Sequence, residues 1–244
     1  MKYGLIGYPI GHSLSPAMFR ACYPQHSYEL IETPRFEDAL VLVRRDFDAV
    51  NVTAPFKEDA FLAADEADEA TMRLRAANIL INRDGRLSAM NSDHLAVRRM
   101  LSELPQLKEG SRILVLGCGG AGRAAAYASA GLGFRTAVAN RTLARAQQFC
   151  SQDPLMEAMT LEEGISRIDS FSAIIYTIPT GIEQTPIISE SGAVILEAGY
   201  REPHFGGSNY VSGTKWLAYQ AIPGFKAMTG IEPDETKIMD AIHK

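Results

Sequence analysis

Short apolar runs alternate with amphipathic stretches along most of the chain. Residues 3–6 read as a strand and 16–22 as a helix, with Ser15 as its N-cap and Pro16 at its first position. Residues 27–31 read as a strand, 36–45 as a helix and 49–53 as a buried strand, and another helix starts near Pro55. Stretches 78–82 and 86–91 flank Arg83-Asp84-Gly85, which is a hairpin pattern. Asp93 then opens an amphipathic helix to 101. A polar stretch at 104–110 reads as a linker, and the pattern resumes beyond it. Strands are expected at 112–116, 135–139, 173–178 and 193–198, and helices at 120–131, 142–150, 215–221 and 234–242. Strands separated by helices define βαβ units and a mostly parallel sheet, so the fold class is α/β.

Composition adds limits rather than a function. With 244 residues, 46% hydrophobic and 22% charged, the chain is ordinarily globular and long enough for one or two domains. Lysine plus arginine (24) against aspartate plus glutamate (29) gives a net charge of −5, which points away from nucleic acid as a partner. The apolar runs fall short of the roughly 18 residues that would span a bilayer, and the N-terminal one is too short for a signal peptide. No membrane partner and a cytoplasmic location are therefore expected. Cys22, Cys118 and Cys150 form no CxxC pair, so no metal site is expected and each reads as a small buried hydrophobe.

The sharpest chemical signal is Gly117-Cys118-Gly119-Gly120-Ala121-Gly122, directly after the apolar run Ile113-Leu114-Val115-Leu116. Glycines between a strand and a helix let the backbone approach a pyrophosphate, and the helix N-terminus supplies oriented N–H groups. The context is that of a dinucleotide site. An acid about 20 residues on would hold a ribose 2′-hydroxyl, but this chain reads Asn140-Arg141-Thr142-Leu143-Ala144-Arg145. Arginine binds a 2′-phosphate through paired hydrogen bonds, whereas a carboxylate repels it, so NADP(H) is the expected cofactor. Arg145 also reads as a solvated helix-face residue.

The N-terminal half places Ser13, Ser15, Thr53, Lys57, Asn78, Asn91 and Asp93 near strand ends, where ligands bind in open α/β sheets. Spacing alone leaves both readings open. Ser15 and Asp93 suit helix caps, and Lys57 suits a solvated first turn.

Several separate motifs give the chain its resemblance to a known family. They are Gly7-Tyr8-Pro9-Ile10-Gly11-His12-Ser13-Leu14-Ser15-Pro16, Asn51-Val52-Thr53-Ala54-Pro55-Phe56-Lys57, Ala76-Ala77-Asn78 and Asn91-Ser92-Asp93. To these add 117–121, 140–145 and Gly213-Thr214-Lys215-Trp216-Leu217-Ala218-Tyr219-Gln220-Ala221. Through them the chain resembles the shikimate dehydrogenase family along nearly its whole length. The resemblance implies a substrate-binding catalytic domain (1–103 and 214–244) and a Rossmann-type NADP-binding domain (104–213), with C-terminal helices returning to the first. It also implies NADPH-dependent reduction of 3-dehydroshikimate to shikimate, on the way to chorismate and aromatic amino acids. Ser13 and Ser15 would hold the substrate carboxylate, and Thr53, Asn78 and Gln220 its hydroxyls, with Tyr200 beside them. Lys57 and Asp93 would be the catalytic pair. Gly117, Gly119, Gly120, Ala121, Asn140, Arg141, Thr142, Arg145 and Gly213 would bind the cofactor.

Departures from the family pattern bear on specificity. Its Asn-Thr pair reads Asn78-Ile79, the usual asparagine before the Pro-x-Gly turn is Tyr176, and Trp216 replaces a methionine. Only 200–207 separates the strand ending near Gly199 from a possible strand at 208–212. A parallel crossover usually takes a dozen or more residues, so an irregular loop is expected there instead of a helix. That would leave one sheet face less covered, which favours self-association; monomer and homodimer both stay open. A quinate or related cyclitol-acid dehydrogenase, or a silent NADP-binding module, is the alternative function. Intact Lys57 and Asp93 argue against the silent module, whereas Ile79 keeps the sister dehydrogenase open.

Overall fold

The computed structural model describes residues 1–242; the end of the expected 214–244 segment lies outside the described residues. The chain divides into two compact units, Met1–Ser92 with the chain from Gln220 on, and Asp93–Tyr219.

In the first unit the order is β1 (Lys2–Gly7), α1 (Ser15–Cys22), β2 (Ser27–Glu32), α2 (Phe36–Asp46), β3 (Ala49–Val52) and α3 (Lys57–Ala63). β4 (Glu66–Ala67), α4 (Glu69–Leu74), β5 (Ile79–Arg83) and β6 (Arg86–Met90) follow. The sheet order is β2-β1-β3-β5-β6-β4. β1 lies parallel to β2 and β3, while β3–β5 and β5–β6 are antiparallel. The register pairs Arg83 with Arg86, so Asp84 and Gly85 form a two-residue turn, both at positive φ (54° and 85°). Glycine takes that backbone without strain, and aspartate tolerates it. Ile6, Val50, Val52, Leu80 and Leu87 fill the core beneath this sheet with Phe36, Phe47 and Phe56.

The second unit opens with α5 (Asp93–Ser102), then β7 (Arg112–Leu116), α6 (Gly120–Ala130), β8 (Arg135–Ala139), α7 (Leu143–Cys150) and β9 (Met156–Met159). After α8 (Leu161–Ser166) come β10 (Ala173–Tyr176), α9 (Thr185–Glu190), β11 (Val194–Glu197) and β12 (Tyr210–Val211). α10 (Gly213–Thr229) and α11 (Glu235–Ile242) end the chain. The order β12-β11-β10-β7-β8-β9, parallel at each pairing, is that of a doubly wound Rossmann sheet. α5 packs on α6, and the division accordingly falls before α5, whereas the sequence suggested a boundary after it.

The segment 200–207 contains no helix, as its length requires, and β12 still pairs parallel to β11. A buried carboxylate organises the loop. Glu197, at the end of β11, accepts the backbone N–H of His204 at 3.1 Å and the hydroxyl of Tyr210 at 2.9 Å, and pairs with His204 Nδ1 at 2.6 Å. Burial, reinforced by Glu197, pushes the Tyr210 phenol up to about 12. Phe205 from the same loop packs edge-on against Tyr176 and joins the core cluster of Ile195. The loop thus supplies apolar cover of its own, which removes the reason for expecting a bare face. No helix among the described residues is long and apolar enough to cross a membrane.

Candidate active site

In the first unit the polar set lies where β1 and β3 end side by side. Thr53 donates its backbone N–H to Ile6, and a methyl group on Gly7 would stand 2.4 Å from Thr53 Cγ2, so this contact requires glycine. Ser15 is not an N-cap. The backbone of Leu14 is already helical, Ser15 is the first helical residue, and Ser13 Oγ accepts its N–H at 3.2 Å. Leu14 holds the N-cap position, and no side chain caps the helix there. Lys57 begins α3 half-buried, and its carbonyl accepts the N–H of Ala77 at 2.8 Å, which joins it to the residue before Asn78.

Asn78 is the hub of this unit. Its carbonyl oxygen accepts the backbone N–H of Ser92 at 2.8 Å, and its amide donates to Ser92 Oγ at 3.0 Å and to Gln220 Oε1 at 2.8 Å. With Oε1 taken, Gln220 presents N–H donors. Ser92 was not singled out from the sequence, because its partner lies 14 positions away. Ile79 is fully buried, and its Cδ1 would stand 3.2 Å from a methyl on Gly224. The position that lost a hydroxyl has joined the core.

In the second unit Gly117 and Gly122 are required for different reasons. Gly117 has φ +104°, and its N–H is held by the carbonyl of Ala139. A methyl on Gly119 would meet open space, whereas one on Gly122 would lie 2.1 Å from the Gly117 carbonyl oxygen. Gly122 is the third glycine of the G-x-G-x-x-G spacing, the one that allows close helix–strand packing. The spacing itself could have marked it beside Gly117, Gly119, Gly120 and Ala121.

Asn140 Oδ1 accepts the N–H of Cys118 at 3.1 Å, and its amide donates to the Thr142 carbonyl at 2.9 Å. One side chain thereby joins the glycine loop to the turn carrying Arg141. Arg141, Thr142 and Arg145 are exposed, and no side chain caps the N-terminus of α6. A glycine cradle, an uncapped helix start and exposed guanidinium groups fit a dinucleotide carrying an extra phosphate. Burial pushes the Cys118 thiol up to about 11, so it stays protonated near neutrality and offers no nucleophile.

Asp93, 3% exposed, begins α5, and Oδ1 accepts the indole N–H of Trp216 at 3.0 Å. Lys57 and Asp93 belong to different units. Tyr200 lies half-buried in the loop after β11. At Gly213 a methyl would stand 2.0 Å from the Gly199 carbonyl oxygen, so close backbone approach accounts for that glycine. Among the described residues no cluster of three or more His, Cys, Asp or Glu side chains could hold a metal ion.

A parallel sheet in Rossmann order, with a glycine-built strand–turn–helix at its centre and a second α/β unit bearing a converged polar set, defines a two-unit α/β chain of the nucleotide-dependent dehydrogenase type. Residues 5–80 match the family model described as the shikimate dehydrogenase substrate binding domain. A shikimate dehydrogenase (NADP(+)) of Exiguobacterium sp. is 33% identical, covering 97% of this chain and 95% of its own. Its counterpart from Geobacillus kaustophilus is 31% identical, over 98% and 96%. The Thermus thermophilus shikimate 5-dehydrogenase, solved in complex with NADP(H) and shikimate, superposes with TM-score 0.85 at 28% identity, over 100% of this chain and 98% of that one. This chain belongs to the shikimate dehydrogenase family.

Proposed function

We propose that this chain is an NADP-dependent oxidoreductase that interconverts 3-dehydroshikimate and shikimate, on the way to chorismate and the aromatic amino acids. The observation that carries this reading is the glycine loop tied through Asn140 to the Thr142 carbonyl, in the turn that carries Arg141, in a chain alike along nearly its whole length to the NADP-dependent shikimate dehydrogenases. Ser13 and Ser15 hold the substrate carboxylate, Thr53, Asn78 and Gln220 its hydroxyls, and Tyr200 completes this set. Gly117, Gly119, Gly120 and Ala121 receive the pyrophosphate, with Gly213 on the same cofactor. Asn140, Arg141, Thr142 and Arg145 receive the 2′-phosphate end.

NADPH, when bound, supplies the hydride. The Lys57 ammonium gives a proton from Nζ to the carbonyl oxygen as negative charge develops on it, and in the oxidative direction the neutral amine takes that proton back. Asp93 orients the lysine.

The test is turnover by the purified protein, followed by nicotinamide absorbance, with shikimate or quinate and NADP⁺ or NAD⁺. Shikimate with NADP⁺ is the expected best pair. Quinate above shikimate would assign the chain to the cyclitol-acid reading, which the isoleucine at position 79 keeps open. No turnover in any combination would overturn the enzyme reading.

A further inference from the structure

Trp216 is the single tryptophan of the chain. Its contact with Asp93 is between two buried side chains, 4% and 3% exposed. A carboxylate withdrawn from water needs donors, and an indole offers one N–H, fixed in the plane of a rigid ring. The ring itself is held in place. One residue before it, Lys215 Nζ pairs with Glu103 Oε2 at 2.6 Å, and Tyr219 donates its hydroxyl to Glu103 Oε1 at 2.8 Å. Burial pushes Glu103 up, but the hydrogen bonds from Lys215 and Tyr219 outweigh it and hold the carboxyl below its ordinary value. Glu103 directly follows α5, and Asp93 begins it. The opening turns of α10 are therefore fastened at both ends of α5, and the indole has little freedom to leave the carboxylate.

We propose that Trp216 is a positioning residue for Asp93. Its N–H engages Oδ1 and sets the plane of the carboxylate. This inference rests on the reading of Asp93 as one of the catalytic pair. A ring that merely filled space would, on replacement by phenylalanine, lose packing stability but not kcat.

Trp216→Phe keeps an aromatic ring and removes the donor. Its kcat for shikimate oxidation should fall about tenfold while KM changes less than about threefold, because the lost bond acts on the transition state more than on binding. In an Asp93→Asn background the same substitution should change kcat by less than about twofold, since the two residues act as a unit. An undiminished kcat in Trp216→Phe, or an equal loss in both backgrounds, overturns the proposal.

A second measurement needs no turnover. With one tryptophan, emission of the unliganded protein reports this ring alone. Asp93→Asn, which removes the charge beside the indole, should change its intensity, and an unaltered spectrum overturns the contact. If the parent turns over neither shikimate nor quinate, the functional reading fails, while the emission comparison still decides whether Trp216 is coupled to Asp93.

Discussion

The Cα of Gly122 lies so close to Gly117 that a methyl group on it would stand 2.1 Å from the Gly117 carbonyl oxygen. The first turn of α6 and the end of β7 thus meet at a separation only glycine permits. Thr177 seals the same corner by donating its hydroxyl to the Leu116 carbonyl at 2.8 Å.

Gly122→Ala should force that turn and loop apart. Overpacking against backbone costs about 1–3 kcal/mol of stability, and the displaced N–H groups should weaken NADPH binding at least about tenfold. Thermal melts and a fluorescence titration with NADPH measure the two effects. Binding within about twofold of the parent would remove this loop from the cofactor site.

Arg141→Asp should erode or invert the preference for NADP⁺ over NAD⁺. Arg141 is exposed beside the Asn140 link, so its charge acts through solvent and the expected discrimination is about tenfold to several hundredfold. The ratio of kcat/KM for the two cofactors is the measurement. Equal efficiency with both in the unmodified protein would contradict the assignment of Arg141 and Arg145.

What could be read from the sequence divides along physical lines. β7 and β8 run over the expected positions because central parallel strands, buried on both faces, appear as continuous apolar runs. β9, an edge strand reading Met-Glu-Ala-Met and half exposed, has no such signature. α8 was missed although Thr160 and Glu163 form a capping box, a signal present in the sequence itself. The helix expected over 215–221 runs on through Pro223 to Thr229 as α10, and Ile222, Phe225 and Met228 around the proline are all buried. In the site, residue types and motifs gave Asn78 and Asp93. Their partners Ser92 and Trp216 needed the fold, since Asp93 and Trp216 are 123 positions apart.

Stability should decline on the alkaline side. Burial pushes the Cys118 thiol up to about 11 and the Cys150 thiol up to about 12, from an ordinary value near 9. Above about 9 the unfolded chain releases these protons while the folded chain keeps them, so the unfolded state gains as pH rises. The stabilising effect is complete below about 9 and lost progressively toward 12. Each retained proton contributes a slope of at most about 1.4 kcal/mol per pH unit. Urea denaturation at several pH values across that window should show the fall, and Cys150→Ala should make it shallower. A slope unchanged by Cys150→Ala would mean that this thiol titrates alike in both states.

The decisive substitution is at Lys57. If its ammonium gives the proton to the oxygen that gains charge, its contribution lies mainly in the transition state. Lys57→Ala should then lower kcat by about 10²–10⁴, the usual range for a positioned acid–base group. KM should move far less, because in the proposed site ground-state binding would be shared among Ser13, Ser15, Thr53, Asn78 and Gln220. The backbone bond from Ala77 to the Lys57 carbonyl survives in the alanine variant, and a thermal melt checks that the fold is intact. Asp93→Asn should fall in the same direction, and the double variant should lose less than the product of the two single losses. A solvated lysine at the start of a helix predicts almost no change in either constant. Steady-state rates for Lys57→Ala within about twofold of the parent would therefore favour that plainer role, and the proton-transfer assignment would have to be withdrawn.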